Sequence, residues 1–300
     1  MITSQWRGVF TALITPFTST GAVDAEKMNR LIEYQIEGGV DGLVPCGTTG
    51  ESSTLSHEEH DRVIALTVQQ AKGRVPVIAG TGSNATSEAI QLSRHAEEAG
   101  VDALLLVTPY YVKPTQKGLY LHFKAIAESV SIPCILYNIP GRTGVNLETD
   151  TLVRLMNECD NIVGVKEASG NLAQIKDVLA RRRSGFVVLS GDDSLTVSLI
   201  EAGGDGVISV ASNIVPGEMK KLVDAALAGD LEQARRCEEK LSPLFKACFV
   251  ETNPIPIKTA LSMYGWCEEV FRLPMCNLSR PEHYDLLRSA LSSFDIPSPA

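Results

Sequence analysis

Short apolar runs alternate with amphipathic stretches along most of this chain. The runs Val9 to Ile14, Gly42 to Pro45, Val75 to Ala79, Ala103 to Val107, Cys134 to Tyr137, Ile162 to Val165, Phe186 to Leu189 and Gly206 to Val210 read as strands. Between them the period changes to that of helices. Met28, Leu31, Ile32 and Ile36 share one face, with Asp24 placed to cap it and Gly38-Gly39 to stop it. Ser56 and Glu59 have the spacing of a capping box. Further helices are expected after Thr86, over Leu119 to Val130, around Leu152, Leu155 and Met156, around Leu172, Ile175, Val178 and Leu179, and from Pro216.

Three helix-to-strand joints look alike: Gly39-Val40-Asp41-Gly42-Leu43, Gly100-Val101-Asp102-Ala103-Leu104 and Gly203-Gly204-Asp205-Gly206-Val207. A recurring joint is what a repeated α/β unit needs. Eight strands in alternation with helices predict an α/β fold, a (β/α)8 TIM barrel, over the alternative of an open doubly wound sheet. After Ala228 the strands stop. Leu231 to Phe249, Pro254 to Tyr264 and Glu282 to Leu291 read as helices. The expected division is a barrel over 1–228 carrying the active site and a C-terminal helical appendage over 229–300. Pro297-Ser298-Pro299-Ala300 reads as a frayed tail.

One strand ends in an amine. Ile162-Val163-Gly164-Val165 runs into Lys166, then Glu167-Ala168-Ser169-Gly170-Asn171. Strict alternation points Lys166 the same way as Gly164 and Ile162. Desolvation at the end of a buried strand lowers a lysine pKa and leaves more free amine. A free amine on a rigid strand is the nucleophile of Schiff-base enzymes. A lysine that ends a strand and snorkels to water gives the same local pattern.

Composition narrows the field. The 300 residues are 44% hydrophobic and 21% charged, as in ordinary globular proteins. The net charge of -9 and the lack of a basic tract argue against a nucleic-acid partner. The longest apolar runs fall far short of the ~20 residues that span a bilayer, so no membrane partner is expected. Met1-Ile2-Thr3-Ser4-Gln5-Trp6-Arg7-Gly8 lacks the layout of a signal peptide. Cys46, Cys134, Cys159, Cys237, Cys248, Cys267 and Cys276 are scattered, without a C-x-x-C pair, and read as reduced thiols of a cytoplasmic protein.

Barrel enzymes place chemistry where strands end. Those ends carry Thr48-Thr49, Thr108-Pro109-Tyr110-Tyr111, Tyr137-Asn138, Lys166 and Ser190-Gly191-Asp192, with Gly141-Arg142-Thr143-Gly144 close behind. Threonines beside glycines can offer hydroxyls and amides to a small carboxylate. Tyr137 can shuttle a proton beside the amine. Arg142 can grip a second carboxylate. Taken singly, the same residues also read as a turn, a core tyrosine and a surface arginine.

Three look-alikes carry less. His57-Glu58-Glu59-His60 spaces its histidines three apart where the zinc helix has four, so no metal is expected. Gly80-Thr81-Gly82-Ser83-Asn84-Ala85 fits a loose dinucleotide fingerprint. The acidic residue that holds the ribose is missing, which disfavours a nicotinamide-dependent oxidoreductase and leaves no cofactor expected. His95 and His122 read as surface or packing residues.

The chain resembles the dihydrodipicolinate synthase family of Schiff-base aldolases, which also include N-acetylneuraminate lyase. Gly47-Thr48-Thr49-Gly50-Glu51, Tyr137-Asn138-Ile139-Pro140 and Val165-Lys166-Glu167 carry the superfamily likeness. Arg142-Thr143-Gly144, Tyr110-Tyr111 and Asn253-Pro254-Ile255-Pro256-Ile257-Lys258 carry the narrower one. The likeness runs from Gly8-Val9-Phe10-Thr11-Ala12 to Arg272-Leu273-Pro274-Met275. It implies a lyase-type synthase of lysine and diaminopimelate biosynthesis, acting on pyruvate and L-aspartate 4-semialdehyde. Lys166 would form the imine. Tyr137, Thr49 and Tyr111 would relay protons, with Tyr111 reaching in from a neighbouring subunit of a homotetramer. Thr48 and Thr49 would bind the pyruvate carboxylate and Arg142 that of the semialdehyde, with Gly191 and the carbonyl of Ile208 lining the pocket. Ser52, Ser53, His57, His60, Asn84, Glu88 and Tyr110 match an allosteric lysine site. A lyase of the same superfamily acting on a sugar acid is the nearest alternative.

Overall fold

The computed structural model describes residues 5–299. Among them, eight parallel strands lie in the order β2-β1-β8-β7-β6-β5-β4-β3. They are β1 (Gly8–Ala12), β2 (Gly42–Val44), β3 (Ile78–Gly80), β4 (Ala103–Val107), β5 (Cys134–Asn138), β6 (Ile162–Glu167), β7 (Val187–Ser190) and β8 (Gly206–Ser209). A bridge from Leu43 to Val77, with Leu43 N donating to Pro76 O at 3.0 Å, closes β2 on β3. The result is the expected (β/α)8 barrel. The strand expected from Val75 starts only at Ile78, because Pro76 has no N–H for a ladder.

Among the described residues, nine α-helices accompany the strands: α1 (Ala25–Glu37), α2 (His57–Ala71), α3 (Thr86–Glu98), α4 (Gln116–Ala127), α5 (Pro140–Thr143), α6 (Thr149–Glu158), α7 (Leu172–Arg181), α8 (Thr196–Glu201) and α9 (Pro216–Leu227). The caps are those the sequence spells out. Asp24 accepts from Lys27 N, and Ser56 and Glu59 close a capping box on α2. The single turn α5 and the six-residue α8 are too short to show a helical period, and the sequence reads past them.

Alternation along each strand builds two cores. Leu104, Leu106 and Leu136 face the helices. Phe10, Val44, Ile78, Leu105, Ile135 and Leu189 fill the barrel, with Trp6 in the same cluster. Gly206 has a φ of 147°, and a Cβ there would collide with Gly8 O, so the β1–β8 seam requires glycine.

Strict alternation fails at one place. The β5–β6 register pairs Cys134 with Ile162 but Ile135 with Gly164, leaving Val163 as an extra residue. This bulge turns Ile162 outward among the helices, while Val163 packs against the barrel interior. Ile162 therefore does not share a face with Lys166, contrary to the period-two expectation. From Gly164 onward the phase is the expected one.

Helices α10 (Leu231–Ala247), α11 (Ile255–Met263) and α12 (Pro281–Leu291) follow the barrel. Leu241, Leu244, Ile257, Leu261, Leu287 and Leu291 join the same apolar cluster as the barrel helices. The tail is anchored as far as Pro297, whose carbonyl accepts Trp266 Nε1 at 2.8 Å next to buried Ile296. Trp266 stacks on Tyr34 of α1 at 4.3 Å. Ala300 lies outside the described residues.

Candidate active site

The register that follows the bulge places Tyr137 directly beside Lys166. The Lys166 side chain does not snorkel: only 6% of the residue is exposed. Its Nζ lies 4.3 Å from the centre of the Tyr137 ring. Burial pushes the amine down to about 7, opposed by the charge of Asp193 and assisted by that of Arg142. Burial pushes the Tyr137 phenol up to about 12, while Arg142 and the Thr48 side chain act the other way. A base near neutrality beside a phenol that stays protonated can exchange protons without either group carrying a fixed charge.

Asp193, the residue after the Ser190-Gly191-Asp192 strand end, is buried. Its Oδ2 accepts from Val210 N at 3.1 Å and Ala211 N at 2.9 Å, and burial raises the carboxyl. Gly191 leaves room for the amine, since a Cβ there would sit 3.0 Å from Lys166 Cε. Behind the lysine, Asn138 Nδ2 donates to Glu167 Oε1 at 3.1 Å and to Asn146 Oδ1 at 2.8 Å. These bonds tie the α5 loop to the lysine strand.

The threonine loop follows β2. Thr49 is buried, and its Oγ1 accepts from Asn253 Nδ2 at 2.9 Å. The Asn253 carbonyl in turn accepts Arg142 Nη2 at 2.9 Å. Thr48, Thr49, Tyr137, Arg142, Lys166, Gly191, Val210 and Phe249 line one small pocket of about 40 Å³. Ile208 is packed within the barrel interior, and Val210, two residues on, reaches the pocket wall.

A larger cavity of about 550 Å³ shares Thr48, Tyr137 and Arg142 with that pocket. Its other wall carries Ser52, Ser53, His57, His60, Glu88 and Tyr110. Asn84 is half-buried and lies outside this lining. His57 Nε2 lies 2.8 Å from Glu88 Oε1, and Ser83 Oγ also donates to Glu88. Ser83 first and His57 second hold the Glu88 carboxyl below its usual range. His60 Nε2 sits 2.8 Å from Gly80 O, and burial keeps its ring below its ordinary pKa.

Tyr111 stands apart. It is 86% exposed at a φ of 71° and lines neither cavity of its own chain. Val112 and Leu121 are exposed as well. Outside the site, His95 bonds Asp61 at 2.9 Å and His122 bonds Thr86 at 2.9 Å, with burial pushing His122 down to about 4.

Sequence patterning does not mark Asp193, Phe249 or the double role of Asn253. Asp193 adjoins a strand end already singled out. Asn253 and Phe249 come from beyond the barrel, where no periodicity says which residues turn back to the rim.

Fold and site together define a (β/α)8-barrel enzyme built around a desolvated lysine amine. The sequence profile of the dihydrodipicolinate synthetase family matches residues 5–293. A 4-hydroxy-tetrahydrodipicolinate synthase of Nitratidesulfovibrio vulgaris (strain DP4) is 56% identical over 276 residues, 92% of this chain and 94% of that protein. The crystal structure of dihydrodipicolinate synthase from Aquifex aeolicus superposes with a TM-score of 0.95 at 50% identity, covering 98% of this chain and 100% of the other. A dihydrodipicolinate synthase from Cyanidioschyzon merolae, solved with lysine bound, superposes with a TM-score of 0.94 at 40% identity, covering 96% and 98%. The chain belongs to the dihydrodipicolinate synthetase family.

Proposed function

We propose that this chain condenses pyruvate with L-aspartate 4-semialdehyde to give 4-hydroxy-tetrahydrodipicolinate, through an imine on Lys166. The observation that carries the reading is the buried Lys166 amine, held near neutrality in a pocket with Tyr137, Thr48, Thr49 and Arg142.

Lys166 Nζ attacks the keto carbon of pyruvate, and water leaves as the imine forms. Loss of a methyl proton gives an enamine, which attacks the aldehyde carbon of the semialdehyde. The amine of that substrate then attacks the imine carbon, closing the ring and releasing Lys166. Thr48 and Thr49 hold the pyruvate carboxylate. Arg142 has one nitrogen on the Asn253 carbonyl and others available for the second carboxylate. Tyr137 and Thr49 pass protons, completed by Tyr111 of a neighbouring copy. The exposure of Tyr111 and its position outside its own chain's cavities support that sharing. A homotetramer of two tight dimers is the assembly that fits it.

The cavity beside the reaction pocket suits lysine as a regulator. Glu88 offers an anion to its amine, and Tyr110 and Asn84 offer hydrogen bonds to its carboxylate. The lysine-bound relative supports this reading. Among the described residues, no helix is long and apolar enough to cross a membrane. The seven free cysteines fit a cytoplasmic setting.

The test is substrate choice. The purified chain should consume pyruvate and the semialdehyde together and leave N-acetylneuraminate uncleaved. Cleavage of a sugar acid in place of condensation would assign the site to a lyase.

A further inference from the structure

Lys258 and Glu51 form an ion pair sealed from water. Lys258 Nζ lies 2.6 Å from Glu51 Oε1, and the two side chains are 0% and 1% exposed. The ammonium also sits 3.9 Å from the centre of the Phe17 ring. Such a pair is a poor source of stability, because desolvating two ions offsets most of their attraction. Its place in the chain offers another use. Glu51 has a φ of 53°, in the left-handed region that disfavours side chains. It stands between Thr48-Thr49, which face the reaction pocket, and Ser52-Ser53, which face the larger cavity. Asn253, five residues before Lys258, donates to Thr49 Oγ1. One segment from beyond the barrel therefore grips this loop at two points. Arg272 adds a third link: its N–H donates to Glu51 Oε2 at 3.4 Å, and its guanidinium grips Glu59 of α2.

We propose that Glu51 and Lys258 are a positioning pair that fixes the Thr48–Ser53 loop, so that the reaction pocket and the neighbouring cavity are held in one geometry. Neither residue touches the reacting atoms. The role rests on the condensation reading above. Loosening the loop misplaces the Thr48 and Thr49 hydroxyls, and a misplacement of about 1 Å can cost on the order of a hundredfold in rate.

The experiment uses the full chain with Glu51→Gln/Lys258→Met, which replaces the pair by uncharged groups of similar size. Its readouts are circular dichroism, borohydride trapping of pyruvate, steady-state kinetics and lysine inhibition. The expected variant is folded and still forms the Lys166 adduct. Its KM for pyruvate rises and its kcat falls, together about ten- to a hundredfold in kcat/KM, and its half-inhibitory lysine concentration shifts as well. Glu51→Gln alone keeps a hydrogen bond but leaves the buried Lys258 amine without its counter-charge, so its changes should be at least as large as those of the double variant. A folded variant with native kcat, KM and lysine response would overturn the positioning role. Failure of both variants to fold would assign the pair to stability alone and overturn it equally. Absence of a pyruvate adduct in the unsubstituted chain would sink the condensation reading itself, and this role with it.

Discussion

The Lys166 amine lies 4.3 Å from the centre of the Tyr137 ring, and the two residues are direct partners in the β5–β6 register. A strand ladder, not a loop, sets their separation. The pairing depends on the bulge at Val163, which absorbs one residue and brings Lys166 opposite Tyr137 on the inner face. A regular ladder that kept Val163 in register would put Val165 opposite Tyr137 and turn the amine toward the helices, whereas deleting Val163 would leave Lys166 opposite Tyr137. The reaction geometry thus depends on the bulge taking one extra residue of β6 out of register.

The depressed amine predicts a pH profile. Below about pH 7 Lys166 is protonated and cannot attack a carbonyl. Trapping with pyruvate should be slow at pH 6, where roughly a tenth of the amine is free, rise to pH 8 and then flatten. A rate that keeps climbing tenfold per pH unit through pH 9 would indicate an ordinary lysine.

The same shift has a stability consequence. Between pH 7 and the ordinary lysine range near 10.5, the unfolded chain holds a proton that folded Lys166 has lost. Stability from this residue therefore rises with pH across that window, and the penalty is full below it. Lys166→Met, which cannot titrate, should melt higher than the native chain at pH 7, with the gap narrowing by pH 10. Thermal denaturation at both pH values checks it.

Tyr111 should act across a subunit boundary. Tyr111→Phe is expected to lower kcat with little change in pyruvate binding. Mixing that impaired chain with inactive Lys166→Ala should raise activity above that of either chain alone, because each mixed dimer can hold one intact site. No recovery after subunit exchange has been verified by native mass spectrometry would count against a shared site.

Much of this arrangement is legible in the chain. The apolar runs of β4 and β5 and the caps Asp24 and Ser56 follow from local patterning, and so does the eightfold alternation. Lys166, Thr48, Thr49, Tyr137 and Arg142 were readable because strand ends in a barrel converge on one rim. The Val163 bulge was not, since an inserted residue in an apolar strand leaves the composition unchanged. Asn253, Lys258 and Arg272 were hidden for a different reason. They reach the loop from α11 and the segments flanking it, and the docking of that region on the barrel is a long-range result of packing.

The proposed lysine regulation turns on Glu88, whose carboxylate is fixed by Ser83 and His57. Lysine should inhibit partially or noncompetitively toward pyruvate. Glu88→Ala should weaken that inhibition about tenfold or more, as expected for the loss of a charge-assisted contact, while pyruvate trapping is unchanged. A lysine titration of both chains decides the point. Full native activity at millimolar lysine would remove the regulatory claim and leave the catalytic one intact.

The condensation reading stands on Lys166 as the nucleophile. Two lysines are buried, and Lys258 is the rival, but its amine is engaged by Glu51 and lines neither cavity. The direct measurement is borohydride reduction in the presence of pyruvate, followed by peptide mass mapping. The expected result is one reduced pyruvate adduct on the peptide containing Lys166, and none in Lys166→Ala. An adduct on Lys258, or none on the native chain, would contradict the account.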